Sequence, residues 1–284
     1  MTNLKFTDLG LKETLVKAID DLGFITPSPI QAEAIPVALE GIDIIGQAQT
    51  GTGKTAAFGL PLINNLTVKN AIGSIILAPT RELAIQVHDE LVKLTKYEKL
   101  NIVAVYGGAP IHIQARDLKK ANIVVGTPGR VLDHIRRGNL PLSSVEFLVL
   151  DEADEMLNMG FIDDMEEIMK SIPEERQTLL FSATMPAQIK KLTKKYLKED
   201  SVHIVIARKE LTGSTITQNF FEVNNSERFE TLCRLIDFDN PSAGIIFCKT
   251  KKGVDDLVSS MQSRGYMVEG MHGDMSQIQR MKTL

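Results

Sequence analysis

The segment Ala48–Thr55 (AQTGTGKT) constrains this chain more than any other part of the sequence. It follows the apolar run Ile42–Gly46 and opens a helical pattern at Ala56. Its two glycines let backbone N–H groups turn inward, and the helix that follows adds a positive dipole end, so the segment predicts a phosphate-binding loop. It departs from the G-x-x-x-x-G-K-[ST] pattern only at the first position, where alanine replaces glycine and is nearly as small.

Individual side chains of this loop have predicted roles. Lys54 can reach the β- and γ-phosphates of a nucleotide, and the Thr55 hydroxyl can ligate magnesium. The alternative is a Gly/Thr-rich turn without this function, which the strand before it and the helix after it disfavour. The other loop residues expected around the phosphates are Gln49, Thr50, Gly51, Thr52 and Gly53.

Short apolar runs alternate with amphipathic segments across residues 42–206. Runs of this kind are typical of buried parallel strands, and helical patterns such as Glu82–Leu94, Arg130–Arg137 and Pro186–Leu197 separate them. The alternation predicts an α/β fold with a mostly parallel sheet flanked by helices. The runs are Ile42–Gly46, Ser74–Ala78, Ile102–Tyr106, Ile123–Gly126, Phe147–Leu150, Thr178–Ser182 and His203–Ile206.

A second series of strands and helices is expected after a polar segment that lacks apolar periodicity. Helical patterns occur at Arg228–Phe238 and Lys252–Arg264, and a further one starts near Ser276 and is still running at Leu284. The second domain is therefore expected to be incomplete. Its predicted strands are Thr217–Val223, Gly244–Cys248 and Tyr266–Met271. The predicted organisation is a first domain at 1–207, a linker at 208–216 and a partial second domain at 217–284.

Composition excludes a disordered, collagenous or membrane-spanning chain, because 43% of residues are hydrophobic and no apolar run reaches about 18 residues. Two cysteines without a spacing pattern argue against a disulfide scaffold or zinc site and favour a reducing, cytoplasmic location. The formal charge of -4 comes from one cluster of eight acidic residues within 151–167. Without it, residues 1–207 carry +4, so a polyanionic partner is compatible with the composition.

The acidic quartet Asp151–Asp154 (DEAD) directly follows the apolar strand Phe147–Leu150. In an open parallel sheet the carboxyl ends of the strands face the ligand crevice. One carboxylate there can hold the magnesium that Thr55 also serves, and its neighbour can orient or deprotonate a water molecule. Without that strand, the quartet would be interpreted as a solvated surface patch.

The tripeptide Ser182–Thr184 (SAT) also ends an apolar strand. Its hydroxyls can hydrogen-bond the neighbouring carboxylates and communicate the state of the γ-phosphate to another domain. Serine and threonine are also common in loops for their turn chemistry, so the tripeptide alone carries little information.

Further motifs occur in a fixed order with those described above. In chain order the set is Gly23–Gln31 (GFITPSPIQ), Ala48–Thr55, Pro79–Ala84 (PTRELA), Gly107-Gly108, Thr127–Arg130 (TPGR), Asp151–Asp154, Ser182–Thr184 and Ile246–Thr250 (IFCKT). This set resembles the DEAD-box family of ATP-dependent RNA helicases, and most closely its bacterial cold-shock members. The resemblance covers essentially the whole chain. It implies two RecA-like domains, ATP and Mg²⁺ as cofactors, and an RNA-stimulated ATPase that unwinds short duplexes by domain closure.

The resemblance also implies roles for nucleotide-binding residues. Gln31 matches the glutamine that reads adenine, and a side-chain amide can indeed pair with both N6 and N7. Phe24 belongs to the same motif, and Phe6 matches the aromatic residue placed against the adenine ring, with ordinary packing as the alternative. In the family, Asp151 handles magnesium through water and Glu152 serves the attacking water. Asp154 contacts Ser182 and Thr184, which are included among the catalytic residues.

Three loops that follow apolar strands are implied to contact single-stranded RNA or short duplexes with little base preference. Tight turns are the alternative interpretation of the glycine pair and of the Thr-Pro-Gly segment. In the second domain, residues after a strand and the last residue of a Q-x-x-R element (277–280) are also implied to contact RNA. The predicted RNA-binding residues are Pro79, Thr80, Arg81, Gly107, Gly108, Thr127, Pro128, Gly129, Arg130, Phe247, Lys249, Thr250 and Arg280.

The family's later motifs, including the element that supplies arginines to the γ-phosphate, do not occur before Leu284. The sequence is therefore expected to bind adenine nucleotide and hydrolyse it poorly. Further implied partners are ribonucleoprotein, RNA-degradation or ribosome-assembly complexes. No membrane association is expected. Two alternatives stay open. One is an ATP-gated RNA clamp or assembly factor without productive unwinding. The other is a DNA-directed translocase, which the intact adenine-reading segment Gly23–Gln31 disfavours.

Overall fold

The computed structural model describes residues 4–67, 70–206 and 217–283. The chain divides into two compact units, Met1–Arg208 and Lys209–Leu284, which are described separately below. The predicted linker at 208–216 lies outside the described residues. Among the described helices, none combines the length and the apolar character needed to cross a membrane.

A seven-stranded parallel sheet forms the centre of the first unit. All seven predicted strands occur within two residues of their expected ends, which confirms the α/β assignment for this unit. The strand order is β3-β4-β2-β5-β6-β1-β7. The strands are β1 (Ile44–Gln47), β2 (Ser74–Leu77), β3 (Ile102–Val105), β4 (Ile123–Gly126), β5 (Phe147–Leu150), β6 (Gln177–Ser182) and β7 (Val202–Val205).

Helices cover both faces of this sheet because successive strand residues point to opposite sides. On β2, for example, Ile76 belongs to one buried cluster and Leu77 to the other. The first cluster includes a 3-10 turn (Phe6–Leu9) and helices α1 (Glu13–Asp21), α2 (Pro29–Leu39), α3 (Lys54–Asn65) and α4 (Arg81–Leu94). The second includes α5 (Ile111–Leu118), α6 (Pro128–Arg136), α7 (Ala153–Asn158), α8 (Ile162–Ser171) and α9 (Ala187–Tyr196).

Strand register brings the predicted motifs to one edge of the sheet. Gln47 at the end of β1 pairs with Ser182 at the end of β6, and Leu77 at the end of β2 pairs with both Leu150 and Gly126. Because all these strands are parallel, the segments that follow them leave the sheet at the same edge. This edge is where an open α/β sheet binds its ligands.

The second unit contains α10 (Arg228–Asp239), α11 (Lys251–Ser263) and α12 (Gln277–Thr283), which confirms the helical patterns. The three predicted strands are wrong, because residues 217–283 form no β-strand. A strand needs a hydrogen-bonded neighbour as well as an apolar pattern. The apolar residues of one such segment are instead exposed, with Ile245 at 82% and Phe247 at 92% of their full accessibility.

Candidate nucleotide site and the loops beside it

The segment after β1 forms the predicted loop and leads directly into α3. Gly51 and Gly53 have φ angles of 80° and 88°, in the left-handed region that favours glycine. Ala48 donates its backbone N–H to the Ser182 carbonyl at 3.1 Å, and its methyl group is buried in the core. The alanine that departs from the consensus therefore packs beneath the loop, where it fixes the loop against β6.

Lys54, at the start of α3, forms a buried ion pair with Glu152. Its Nζ lies 2.6 Å from Glu152 Oε1, and the two side chains are only 5% and 9% exposed. The Thr50 hydroxyl donates to the same carboxylate oxygen at 2.8 Å. The loop and the acidic quartet, 98 residues apart in sequence, therefore meet at one carboxylate.

The backbone of Glu152 helps to aim its side chain. Its φ and ψ are both 52°, a left-handed conformation that costs a non-glycine residue about 1 kcal/mol or more. The residue stands between the end of β5 and the beginning of α7, so the chain turns sharply there. Strained residues of this kind concentrate at functional sites.

Asp151 directly follows β5 and donates its N–H to the Leu77 carbonyl at 2.9 Å. Its side chain is buried, and its Oδ1 has no hydrogen-bond partner among the described residues. Burial raises the pKa of Asp151 to about 7, because the Lys54 charge only partly offsets the loss of water and Glu152 adds repulsion. A buried carboxylate oxygen without a donor suits a cation or a cation-bound water.

Magnesium is usually held by one or two carboxylates, waters and substrate phosphates, and an all-protein cage is uncommon. The described residues contain no cluster of three or more metal-ligating side chains. Asp151 and Thr55 line the same cavity. This sparse donor set fits Mg²⁺ that arrives with a nucleotide.

Asp154 connects the acidic quartet to the tripeptide after β6. Its Oδ2 accepts from the Thr184 backbone N–H at 2.8 Å and from the Thr184 hydroxyl at 2.7 Å. Its own N–H donates to Ser182 Oγ at 3.2 Å, and Ser182 donates to the Thr184 carbonyl. Although partial burial alone would raise the pKa of Asp154, the hydrogen bonds from the Thr184 hydroxyl and backbone N–H help to lower it. The structure therefore brings the three residues together.

Gln31, in the first turn of α2, connects that helix to the phosphate loop. Ser28 and Gln31 form a capping box, in which Gln31 Oε1 accepts from the Ser28 N–H at 2.9 Å. Gln31 Nε2 donates to the Gly53 carbonyl at 3.0 Å. A Cβ at position 53 would lie 2.4 Å from this nitrogen, so the contact requires glycine there.

A cavity of about 430 Å³ connects these groups. Nine predicted residues line it: Phe24, Gln31, Thr50, Gly51, Gly53, Lys54, Thr55, Asp151 and Glu152. Gln49, Thr52, Asp154, Ser182 and Thr184 are not among the lining residues. Phe6 is also absent from the lining. It is only 3% exposed and packs in the first core cluster, so its stacking on adenine stays a prediction.

One wall of the cavity was not predicted from the sequence. It consists of α4 residues together with two residues from other elements, and its only sequence signal is the amphipathic pattern of a helix that follows β2. The residues are Leu22, Ala56, Leu83, Gln86, Val87, Glu90, Lys93 and Leu94.

The predicted RNA-binding loops of the first unit lie beside one another. Thr80, which follows Pro79, accepts from the Leu83 N–H at 3.2 Å and caps α4. Gly108 has a φ of 88°, and a Cβ there would lie 2.3 Å from Arg81 Nη1. The guanidinium of Arg81 therefore packs against the glycine turn.

The Thr127–Arg130 segment begins α6, with Pro128 in its first turn. Thr127 donates its N–H to the Val105 carbonyl at 3.1 Å, while a Cβ on Gly129 would lie 3.5 Å from Asp164 Oδ2. Arg130 is largely buried, with its side chain 15% exposed. Its Nη1 donates to the Ala109 carbonyl and to Gln114 Oε1 at 3.0 and 2.9 Å.

The remaining predicted RNA-binding residues belong to the second unit. Thr250 caps α11 by accepting from the Gly253 N–H at 3.0 Å. Phe247 and Lys249, just before it, are exposed. Arg280 lies in α12.

Comparison with known proteins identifies relatives along the whole chain. The profile of the DEAD/DEAH box helicases matches residues 28–192, and that of the helicase conserved C-terminal domain matches residues 227–284. The ATP-dependent RNA helicase CshA of Listeria monocytogenes is 53% identical over 282 residues, covering 99% of this chain and 54% of the relative. The DEAD-box ATP-dependent RNA helicase CshA of Bacillus subtilis is 50% identical over 283 residues, covering 99% of this chain and 57% of the relative. The chain thus spans about half the length of these relatives.

Solved structures give a consistent result. A DEAD box protein from the hyperthermophile Methanococcus jannaschii has a TM-score of 0.70 and 47% identity, covering 98% of this chain and 75% of that chain. A hypothetical ATP-dependent RNA helicase from Sulfolobus tokodaii has a TM-score of 0.65 and 37% identity, and the match covers 69% of this chain and 57% of that chain.

Proposed function

The chain belongs to the DEAD/DEAH box helicase family, and we propose that it acts as an ATP-dependent RNA helicase. In this proposal RNA stimulates ATP hydrolysis, and closure of two domains on ATP and RNA separates short duplexes. The observation that carries the proposal is the meeting of Lys54, Thr50 and Glu152 in one cavity with Thr55 and the buried Asp151.

The phosphate end of the cavity supports nucleotide binding. A glycine-rich loop that leads into a helix N-terminus favours a polyphosphate, and Lys54 would supply the charge for its terminal groups. Mg²⁺, held near Thr55 and Asp151 largely through water, would neutralise charge on the phosphates. Gln31 and Phe24, which line the same cavity, are proposed to recognise adenine.

Glu152 is proposed to orient the attacking water and accept its proton. In the structure its carboxylate binds Lys54, so a triphosphate would compete for the ammonium and free the carboxylate for this task. Asp154, bonded to Thr184, would transmit the same change to the segment after β6. The chemistry and its coupling to movement would thus start from two residues of one quartet.

RNA is proposed to lie along the loops after β2, β3 and β4. Backbone N–H groups at Gly107-Gly108 and the guanidinium of Arg81 suit phosphate and sugar contacts, which carry little base preference. Thr80 and Thr127, which precede α4 and α6, lie at helix N-termini that favour anions. The proposed RNA residues of the second unit are Phe247, Lys249, Thr250 and Arg280.

Hydrolysis by the 284-residue chain is proposed to be slow. No arginine is among the described residues that line the cavity. An arginine supplied to the γ-phosphate is worth roughly 10³ to 10⁵ in rate in related phosphoryl-transfer sites. We therefore expect adenine nucleotide binding to be readily detected and turnover to be weak.

An RNA partner and two free cysteines, Cys233 and Cys248, fit a reducing compartment, and the cytoplasm is the proposed location. Protein partners proposed for this activity are ribonucleoprotein, RNA-degradation or ribosome-assembly complexes.

Phosphate release tests the proposal directly. It is measured with no nucleic acid, with single-stranded RNA and with DNA of the same sequence, alongside binding of a fluorescent ADP. We expect nucleotide binding together with slow hydrolysis that RNA stimulates and DNA does not, because 2′-hydroxyls distinguish the two. Failure to bind nucleotide, or equal stimulation by DNA, would contradict the proposal. RNA-stimulated hydrolysis without strand separation, in a version of the protein that turns over ATP, would favour an RNA clamp.

A further inference from the structure

A buried glutamine that the sequence did not single out connects two of the RNA-facing loops. Gln114 lies in α5 and is 6% exposed. Its Nε2 donates to the Tyr106 carbonyl at 3.1 Å, directly before the glycine pair. Its Oε1 accepts from Arg130 Nη1 at 2.9 Å and from the ring Nε2 of His134 at 3.0 Å. A single amide thus joins the end of β3 to two residues of α6.

The surrounding groups determine which way this amide points. The Tyr106 carbonyl can only accept, so it requires the NH₂ of Gln114. The Arg130 guanidinium can only donate, so it requires the oxygen. His134 then donates from Nε2, and its Nδ1 is left facing the Asn139 amide nitrogen at 3.4 Å, where it can accept. Neither an apolar nor an acidic side chain of similar length could make all three bonds.

Arg130 completes a clip around the glycine turn. The same Nη1 that contacts Gln114 also donates to the Ala109 carbonyl at 3.0 Å. The turn 106–109 is therefore held at its start by Gln114 and at its end by Arg130, and these two side chains hold each other. Arg81 packs against the Gly107-Gly108 pair in the middle of the turn.

We propose that Gln114 is a positioning residue for RNA binding, which acts by holding the turn 106–109 and Arg130 in the arrangement that faces the RNA backbone. This inference rests on the proposed RNA function of these loops. A backbone N–H binds phosphate well only when it is already oriented, because ordering a loop on binding reduces the affinity. Gln114 itself is buried and is not proposed to touch RNA.

The main test replaces Gln114 with methionine, which keeps the length of the side chain and removes every hydrogen bond. Gln177 provides a matched control, because it is buried in β6 and donates to the backbone carbonyls of Ala38 and Ile42 at 2.9 and 2.7 Å. It lies at the beginning of its strand, and therefore at the opposite edge of the parallel sheet from the RNA-facing loops. Q114M and Q177M both remove buried amide bonds, and only Q114M affects the clip.

Affinity for a labelled single-stranded oligouridine is measured by fluorescence anisotropy, and affinity for fluorescent ADP is measured in parallel. We expect Q114M to weaken RNA binding about tenfold, the scale of one lost hydrogen bond to a charged group, with ADP affinity unchanged. Q177M should leave both affinities unchanged. Unchanged RNA binding in Q114M, or an equal loss in Q177M, would overturn the positioning role.

Backbone order parameters from NMR relaxation give a readout that does not depend on RNA. The order parameters of residues 107–109 should fall in Q114M and stay unchanged in Q177M. If Q114M fails to fold, Q114E serves instead, because its carboxylate still accepts from Arg130 and His134 and loses only the bond to Tyr106. If the unaltered chain binds no RNA, the proposed RNA function fails, and the positioning role fails with it. Unaltered order parameters at residues 107–109 in a folded Gln114 variant would separately overturn the clip.

Discussion

Lys54 Nζ and Glu152 Oε1 lie 2.6 Å apart in a site from which water is largely excluded. The contact joins the first residue of α3 to the residue that follows Asp151 at the end of β5. Two buried opposite charges stabilise each other, and removing either one leaves the other uncompensated. The same ammonium is the one expected to bind nucleotide phosphates, so the ion pair and the nucleotide compete for one group.

Replacing Lys54 with alanine should therefore have two separate effects. Nucleotide affinity should fall by about 10- to 100-fold, because a charged hydrogen bond contributes about 1.5 to 3 kcal/mol. The free energy of unfolding without nucleotide should fall by about 3 kcal/mol, because Glu152 is left buried without its cation. Titration with fluorescent ADP measures the first effect, and urea denaturation measures the second.

Lys191 is exposed on α9, so K191A is a control that removes the same charge elsewhere. It should change neither quantity appreciably. A K54A protein that bound ADP as tightly as the unaltered chain would show that the loop does not hold phosphates in the proposed manner.

Glu152→Gln should separate binding from turnover. Glutamine keeps an oxygen that can accept from Lys54 and Thr50, but it cannot take a proton from water. We expect ADP affinity to stay within a few-fold. In a version of the protein that turns over ATP, RNA-stimulated phosphate release should fall by roughly 10² to 10⁴, the usual contribution of a general base. Glu155 is exposed three residues later, and E155Q should release phosphate at the unaltered rate. Normal turnover in E152Q would assign the water to another residue.

The sequence predicted the convergence of the phosphate loop and the acidic quartet for a physical reason. In a parallel sheet every strand end of one kind lies at one edge, so locating the strands placed Lys54, Asp151 and Ser182 together. The α4 wall of the cavity was missed because residues such as Leu83 and Val87 belong to an ordinary amphipathic pattern. That pattern shows that a helix packs, and it does not show that part of the packing face borders a cavity.

Two other differences have distinct causes. Gln114 and His134 gain their importance from partners in other elements, and those partners can be identified only once the chain is folded. In the second unit the apolar runs were interpreted as strands, whereas pairing depends on a neighbouring strand that an apolar run does not specify. Phe247, which lies in the predicted strand Gly244–Cys248, is exposed instead.

The pair Ser182→Ala and Thr184→Ala should uncouple strand separation from hydrolysis under the proposed function. Asp154 would keep the Thr184 backbone N–H and lose the Thr184 hydroxyl at 2.7 Å. In a version of the protein that separates duplexes, we expect hydrolysis within about twofold and unwinding per ATP lowered by about 5- to 100-fold, the usual range of coupling between sites. Strand displacement and phosphate release are measured in the same samples.

A matched variant removes two hydroxyls that bond only within their own helices. Ser171 donates to the Glu167 carbonyl and Thr193 to the Lys190 carbonyl. S171A/T193A should leave the ratio of unwinding to hydrolysis unaltered. Unwinding per ATP that is the same in S182A/T184A would remove the coupling role from these residues.

Gly108→Ala should weaken RNA binding through Arg81. The added Cβ would lie 2.3 Å from Arg81 Nη1, so the guanidinium must move away from the turn. Position 108 also has a φ of +88°, which costs alanine about 1 kcal/mol or more wherever it occurs. Gly138 provides the control, because its φ is +70° and nothing lies within 4 Å of its Cβ position. G108A should lower RNA affinity several-fold in fluorescence anisotropy, and G138A should not. Equal RNA affinities in the two variants would show that the position of Arg81 does not affect RNA binding.

His134→Gln should remove one source of acid destabilisation. His134 is fully buried, and burial, followed by the nearby Arg130 charge, lowers its pKa below the usual 6.5; Arg137 adds to the lowering and Asp133 opposes it. As pH falls through 6.5, the unfolded chain takes up a proton that the folded chain resists, so the free energy of unfolding declines until the folded pKa is reached. Glutamine at 134 could still donate to Gln114, and it does not titrate. The difference in unfolding free energy between pH 7.5 and 5.5, measured by urea denaturation, should therefore be smaller in H134Q than in the unaltered chain.

H88Q removes a half-buried histidine on α4 and leaves His134 in place, so it should keep the larger difference. An H134Q protein with the full pH dependence would mean that the acid sensitivity arises elsewhere.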